Sequence, residues 1–293
     1  MRVTQHSISM GSLANVQASL NRTARLQEQM SSGKAVNRPS DSPIGTVTSL
    51  SLRSQISAQE QYAANAQDGA SWLGTLDTTL QSVNDGLQRV RDLTVQASNT
   101  GSLDTNARQA IAAEITTLRD NLTGLANTTY LGRPVFGGTT AGGAAFDPKT
   151  YAYVGDGGTV TRRIDDRTQV SVGADGAAVF GAGSSSVFAF LDTLAANVVG
   201  NPSALSSDLA ALDGRMGTVL NALTDVGVRA NQMDQAQTAA KYKALDLRST
   251  LSGVEDIDLP SVIIDLQLQQ TTYQAALAAT AKVLQPTLMD FLR

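Results

Sequence analysis

Apolar and uncharged positions recur every three and four residues over most of this chain. The C-terminal stretch carries Leu259, Ile263, Leu266, Gln270, Tyr273, Leu277, Thr280, Leu284, Leu288 and Phe291 at this spacing. The N-terminal stretch repeats it more weakly at Leu13, Val16, Leu20, Thr23, Gln27 and Met30. A narrow seam with a 3.5-residue period calls for a partner helix. Between the ends, Leu73, Leu76, Leu80, Val83, Leu87, Val90, Thr94 and Ala97 predict one helix. Ile111, Ile115, Leu118, Leu122 and Leu125 predict a second, capped by Ser102 or Asp104. With a break at Asn99 to Gly101, these two form an antiparallel hairpin. A third seam runs from Leu205 through Leu212, Val219, Val226, Met233, Ala240 and Leu247 to Leu251. As one helix it would be about 70 Å long. Pro202 suits its first turn and Ser252-Gly253 its end.

From Gly132 to Gly183 the helical period gives way to dense glycine. Thr150–Val154 and Thr159–Ile164 alternate around Gly155-Asp156-Gly157-Gly158. Thr168–Val172 and Ala177–Phe180 flank Gly173–Gly176. Two β-hairpins are expected here, followed by a short helix at Val187–Val199. Two breakers interrupt the helices at matching depths from the ends: Ser31–Ile44, with Gly33, Pro39 and Pro43, and Gly253–Pro260. The fold class is therefore mainly α, an elongated bundle of long heptad helices with a small β-rich insert. Its expected divisions are 1–40 (N-terminal helix and linker), 41–131 (first part of the bundle), 132–200 (insert with its short helix), 201–252 (long C-terminal bundle helix) and 253–293 (C-terminal helix). Two terminal helices set off by such linkers bury too little to be stable alone. They are expected to be loosely ordered in a monomer and to fold against copies of themselves or relatives.

Composition narrows the function classes. Charged residues are 16% and aromatics 4%, against about 25% charged in ordinary soluble domains. An uncharged polar surface lets many copies pack without large desolvation costs. Net charge is −4, with no basic run longer than Arg162-Arg163, which argues against nucleic acid as partner. There is no cysteine and one histidine, His6, so thiol chemistry is excluded and a zinc site is not expected. No cofactor, metal or catalytic cluster is expected. Asp156 sits in a glycine turn without the lysine of a phosphate loop or the alternating carboxylates of a calcium loop. Asp165-Asp166 is a second turn. The Asn-x-Ser/Thr matches at Asn21, Asn121 and Asn127 fall on helical patterns. Arg89 and Arg91, with Asp85 and Asp92, form a charged helix face; contact with another subunit is the functional alternative to plain solvation. The N-terminus lacks the pattern of a secretory signal peptide, and no apolar run is long enough to insert in a membrane.

Several long segments resemble the flagellin superfamily, in its hook-associated branch. They are SSGKAVNRPSDSP (Ser31–Pro43), QYAANAQDGASWLGTLDTTLQSVNDGLQRVRDLTVQASN (Gln61–Asn99), AIAAEITTLRDNLTGLANTTYLGRPVFGG (Ala110–Gly138), VGVRANQMDQ (Val226–Gln235) and QLQQTTYQAALAATAKVLQPTLMDFLR (Gln267–Arg293). The resemblance covers both arms and leaves out roughly the insert. It implies that the terminal helices form an inner coiled-coil domain near a filament axis. It also implies that copies ring that axis as an adapter zone, with another hook-associated protein on the hook side. Flagellin or a second junction-side protein would lie on the filament side. Family members leave the cell through the flagellar type III channel without a cleaved signal peptide, to an extracellular place on the flagellum. Their C-terminal helix binds an export chaperone. The expected assembly residues are Leu13, Val16, Leu20, Met30, Leu259, Ile263, Leu266, Tyr273, Leu277, Leu284, Leu288 and Phe291. A filament-forming flagellin is the alternative, and a free-standing coiled-coil binding module the third reading. None of the three is an enzyme.

Overall fold

A computed structural model describes residues 5–99 and 104–284. Seven α-helices and two small antiparallel sheets make up the described chain, which divides into two compact units. The larger unit is Ala58–Tyr242; the other joins Met1–Ser57 to Lys243–Arg293.

In the larger unit the predicted central seams are the core. Helix α2 (Pro43–Ser98) buries Leu73, Leu76, Leu80, Val83, Leu87, Val90, Thr94 and Ala97 on one face. Thr94 is tolerated there because its Oγ1 donates to the Val90 carbonyl one turn back, 2.7 Å away. Helix α3 (Thr105–Ala126) starts where Asp104 Oδ1 accepts from the Ala107 N–H at 2.7 Å, which settles the cap on Asp104. It lies antiparallel to α2: Arg89 reaches Glu114, and a side chain at Gly86 would meet Leu122. Helix α6 (Leu205–Glu255) is continuous and keeps its heptad phase, burying Leu205, Leu212, Val219, Val226, Met233 and Ala240. Pro202 lies in a 3-10 turn just before it, and Gly253 sits inside its last turn, so the helix ends two residues beyond the expected stop. Arg91 to Asp213 and Gln67 to Gln237 show that α2 and α6 run antiparallel.

The insert departs from the expected hairpins. Strand β1 (Thr129–Tyr130) pairs with β2 (Arg133–Pro134) across Leu131-Gly132, both at positive φ, a tight turn that the alternation pattern did not mark. Strand β3 (Thr161–Arg163) pairs with β4 (Gln169–Ser171), with Arg162 opposite Val170 and Asp165-Asp166 in the turn between them. Thr150–Val154 does not join that sheet; Tyr153 bridges to Phe146 instead. The Asp156 carboxylate accepts from the Thr139 and Gly158 N–H groups at 2.7 and 2.9 Å, so this loop closes on Thr139 rather than turning a hairpin. Ala177–Phe180, expected as a strand, belongs to a short helix α4 (Gly176–Phe180), because Asp175 Oδ1 caps the Ala177 N–H at 3.0 Å. A short apolar run is compatible with either element, and the cap decides it.

The few aromatic residues are concentrated here. Phe180 packs edge-on against Phe136 and Phe146, and Phe188 meets Phe146 edge-on and stacks on Phe180, all four being fully buried. Phe188 lies on α5 (Val187–Gly200), which Ser186 caps and which packs on α3. Trp72 packs against Tyr130, and the guanidiniums of Arg133 and Arg162 each lie 5.8 Å from its ring. Asp68 holds Arg162 through Nε at 2.6 Å.

Leu80 is fully buried at the centre of the α2 seam. Leu80→Ala should lower unfolding stability by about 3 kcal/mol through lost transfer energy and a residual cavity. Urea titration followed by emission of Trp72, the single tryptophan, measures it.

Candidate assembly interface

In the other unit, α1 (Gln5–Ser32) packs on α7 (Leu259–Leu284). The helices run in opposite directions: Gln269 Nε2 donates to Ser19 Oγ at 2.8 Å, and Lys34 bridges Asp256 in antiparallel register. The inward positions are Ser12, Val16, Ser19, Thr23 and Leu26 on α1, facing Val262, Leu266, Gln269, Tyr273, Ala276 and Thr280 on α7. Both sets alternate fours and threes, so the expected 3.5-residue period is present.

Its phase differs in a systematic way. Val16, Thr23, Leu266, Tyr273 and Thr280 face inward as the spacing predicts. At the intervening turns the neighbouring residue takes the place: Ser12 for Leu13, Ser19 for Leu20, Val262 for Ile263 and Ala276 for Leu277. In these four the larger side chain is left out, whereas Leu26 takes the place of Gln27 and Gln269 that of Gln270. Leu13, Leu20, Met30, Leu259, Ile263 and Leu277 are 39–59% exposed, together with Met10. A residue one position past an inward one is turned by about 100°. In an antiparallel pair the same turn on both helices points to the same side. Leu13, Leu20, Ile263 and Leu277 therefore share one side of the pair. The exposed positions among them are Gln17, Gln27, Gln267, Gln270 and Gln274, so that side is leucine, isoleucine and amide. The other side carries charge, in a groove lined by Arg22, Arg25, Gln29, Asp265 and Leu268. Leu284 is the last described residue of α7, and Leu288 and Phe291 lie outside the described residues.

The two linkers meet at the base of this pair. Gly33 ends α1 at φ +70°, its N–H reaching the Gln29 carbonyl at 2.8 Å. The next residues run beside the end of α6: Ala35 N–H donates to the Glu255 carbonyl at 2.6 Å, and Ile257 N–H to the Gly33 carbonyl at 3.1 Å. The Glu255 side chain is only 3% exposed. It accepts Arg53 Nε at 3.0 Å, Arg53 Nη2 at 2.8 Å and Lys34 Nζ at 2.8 Å. Lys34 Nζ also reaches Asp256 Oδ1 at 3.2 Å, and Ser252 donates to the same carboxylate. Two cations and two anions form a neutral cluster, so burial of one carboxylate is compensated. The Arg53 guanidinium, and after it Lys34, holds the Glu255 carboxyl well below its ordinary value, at about 2. Next to the cluster, Ser42 Oγ caps the start of α2 through the Gly45 N–H at 3.0 Å, with Pro43 in the first helical position. Leu52, Ile56 and Leu247 pack together beneath it.

Glu255, Lys34 and Arg53 did not stand out from the spacing of apolar residues. The available signal was charge of opposite sign in the two breakers: Gly33-Lys34 in one and Glu255-Asp256 in the other. Arg89 and Arg91 find partners on neighbouring helices of the larger unit, Glu114 at 2.6 Å and Asp213 at 2.7 Å, rather than on the Asp85 and Asp92 face of α2. Both guanidiniums stay exposed, where such pairs contribute little to stability. Among the described residues no group of His, Cys, Asp and Glu is placed to hold a metal ion, and no helix is long and apolar enough to cross a membrane.

The model of the bacterial flagellin N-terminal helical region matches residues 3–141. The flagellar hook-associated protein 3 of Salmonella typhimurium is 28% identical, across 94% of this chain and 95% of its own. The flagellin of Bacillus subtilis is 26% identical, across 96% of each chain. Among solved structures, that of Bacillus cereus FlgL is similar with a TM-score of 0.61 and 27% identity, over 69% of this chain and 99% of that one.

Because the Glu255 carboxyl lies at about 2 against an ordinary 4.5, the clasp contributes fully above pH ~4.5 and is lost as pH falls through ~2. Glu255→Gln should cost about 2–3 kcal/mol at neutral pH and remove that part of the acid dependence. Denaturant midpoints of both proteins between pH 2 and 7 test this: the difference should shrink steadily below pH 4.5.

Proposed function

We propose that this chain, a flagellin-like protein of the hook-associated kind, is a structural subunit of the zone that joins hook to filament in the bacterial flagellum. One observation carries the reading beyond likeness. The terminal helices cover Val16, Leu26, Val262, Leu266 and Tyr273 between them but leave Leu13, Leu20, Ile263 and Leu277 on an uncharged outer side. Burial of apolar area is the main favourable term in association, so a pair folded only for itself would not leave four leucine and isoleucine side chains along one outer side. Leaving them out suits a pair that is finished by neighbouring copies. Such copies would stand in a ring, with a hook-side protein below and a filament-side protein above. A seam in which Ser, Thr, Ala and Gln interrupt the apolar positions is weak, which suits a chain exported unfolded that orders its ends on assembly. The C-terminal helix is then the natural segment for an export chaperone to cover before secretion.

The 26% identity to a Bacillus subtilis flagellin across 96% of both chains favours a second reading, a filament-forming subunit. Growth of the purified chain alone into long filaments on seeds would decide for it and against the junction role.

Leu20→Asp with Leu277→Asp tests the outer side directly. Two leucines withdrawn from a buried contact remove about 4 kcal/mol, so incorporation into flagella should fall by roughly a thousandfold. Emission of Trp72 and the urea midpoint of the larger unit should stay as in the parent chain. Incorporation at the parent level would remove the terminal stripe from the assembly interface.

A further inference from the structure

The two stripes of the α1–α7 pair share one register. Ser19 meets Gln269 at 2.8 Å, and residue numbers rise along one helix as they fall along the other. In the seam, Ser12 is therefore level with Ala276, Ser19 with Gln269 and Leu26 with Val262. The outer stripe stands at the same heights: Leu13 is level with Leu277, Leu20 with Gln270, Gln27 with Ile263 and Met30 with Leu259. Val16, Thr23, Leu266 and Tyr273 belong to both. No sliding separates the two arrangements. Each helix need only turn about its own axis by roughly 50°, half the angle between neighbouring residues. Because the helices are antiparallel, they turn in opposite senses, as meshed wheels do.

The described phase covers Leu26 and Val262 and keeps the Ser19–Gln269 hydrogen bond. The other phase covers Leu13, Leu20, Ile263 and Leu277 and gives that bond up. Extra apolar burial set against a lost buried hydrogen bond leaves two packings of one sequence close in free energy. The joint at the base allows the turn, since α1 ends on Gly33 in left-handed backbone with open space around it. We propose that the single chain turns between these two phases, and that the leucine-in phase hides the assembly stripe until a neighbouring copy covers it. Cover from that copy then selects the leucine-out phase. The motion concerns the single chain alone; the masking rests on the proposed assembly role.

The chain has no cysteine, so paired substitutions in the full chain report each phase. Leu20→Cys with Gln270→Cys reports the leucine-in phase, and Ser19→Cys with Gln269→Cys the described one. Ala18→Cys with Thr271→Cys stands at the same height but points off the seam in both phases. Each is oxidised with glutathione disulfide at high dilution, and closure within one chain is followed by mass; it needs Cα atoms within about 7 Å. The 20–270 pair should close at least about tenfold faster than the 18–271 control. Closure at the control rate, while the 19–269 pair closes, would overturn the motion, as would equal closure of all three pairs. Gln269→Ala added to the 20–270 pair should speed its closure about fivefold, as one buried hydrogen bond implies; unchanged closure would count against it. Trp72 emission should match the parent chain throughout.

The closed chains are then added to isolated flagella that lack this protein. The 20–270 lock should enter at least about a hundredfold less than the same chain after reduction, and the 19–269 lock as well as its reduced form. Equal entry of the 20–270 lock and its reduced form would overturn the masking. If the reduced chains also fail to enter, the assembly role falls, while the motion stands or falls on the dilute-chain closure rates.

Discussion

A buried carboxylate needs its charge answered where it sits, and that requirement organises the unit holding the chain's two ends. Glu255 is almost without solvent, and its oxygens are satisfied by one cation from the first linker and one from α2. Three segments far apart in the sequence are thereby brought to one point: the residues after α1, the third turn of α2, and the last turn of α6. Two peptide hydrogen bonds between the linkers complete the joint. If either cation were removed, a nearly dry carboxylate would be left under-compensated, which costs more than the pair contributes in a solvated setting. The direction in which α1 ends and α7 begins is thus set by electrostatics at their base, not by the seam between them.

The seam itself is the weaker partner in that arrangement. In the larger unit the heptad positions hold mostly leucine, isoleucine and valine at near-zero exposure, so folding of that unit is driven by its own core. Between α1 and α7 the inward apolar positions Val16, Leu26, Val262, Leu266 and Tyr273 are interspersed with Ser12, Ser19, Thr23, Gln269, Ala276 and Thr280, which are small or polar. Such residues add little transfer energy, and an isolated pair of helices has no further surface to bury. The chain therefore combines a self-sufficient unit with an end that is held at the base and unfinished along its length. That contrast is what makes an assembly role a physical argument as well as one of likeness.

The long seams at Leu73–Ala97, Ile111–Leu125 and Leu205–Leu251 were legible because each has one apolar stripe, and a single stripe leaves no choice of inner face. The terminal helices each have two adjacent stripes that both carry apolar residues, Val16, Leu26, Val262 and Leu266 in one and Leu13, Leu20, Ile263 and Leu277 in the other. Periodicity shows that 3.5 is the repeat but not which of the two stripes turns inward. In the insert, alternation at Thr150–Val154 and Ala177–Phe180 was outweighed by two aspartates. Asp156 and Asp175 capture nearby backbone N–H groups, and such local bonds compete directly with a strand ladder. The clasp was invisible to any local pattern, since Lys34 and Glu255 are 221 residues apart. Only the opposite charges of the two breakers pointed toward it.

The uncharged outer side of the terminal pair also fits the proposed place between two differently built neighbours. An ion pair is satisfied in one geometry and penalised when its partner is missing, so a charged interface copies poorly onto a second, slightly different site. Leucine and isoleucine side chains gain from any close apolar cover, and glutamine amides can donate or accept as the neighbour requires. A face built from these loses little when the opposing residue shifts by an ångström or changes identity. Charge is instead used where a single arrangement is wanted, at the Glu255 joint inside each copy. Rigidity at the base and tolerance on the outside are then two consequences of one division: ions fix what each chain must do alike, and neutral side chains meet what differs from site to site.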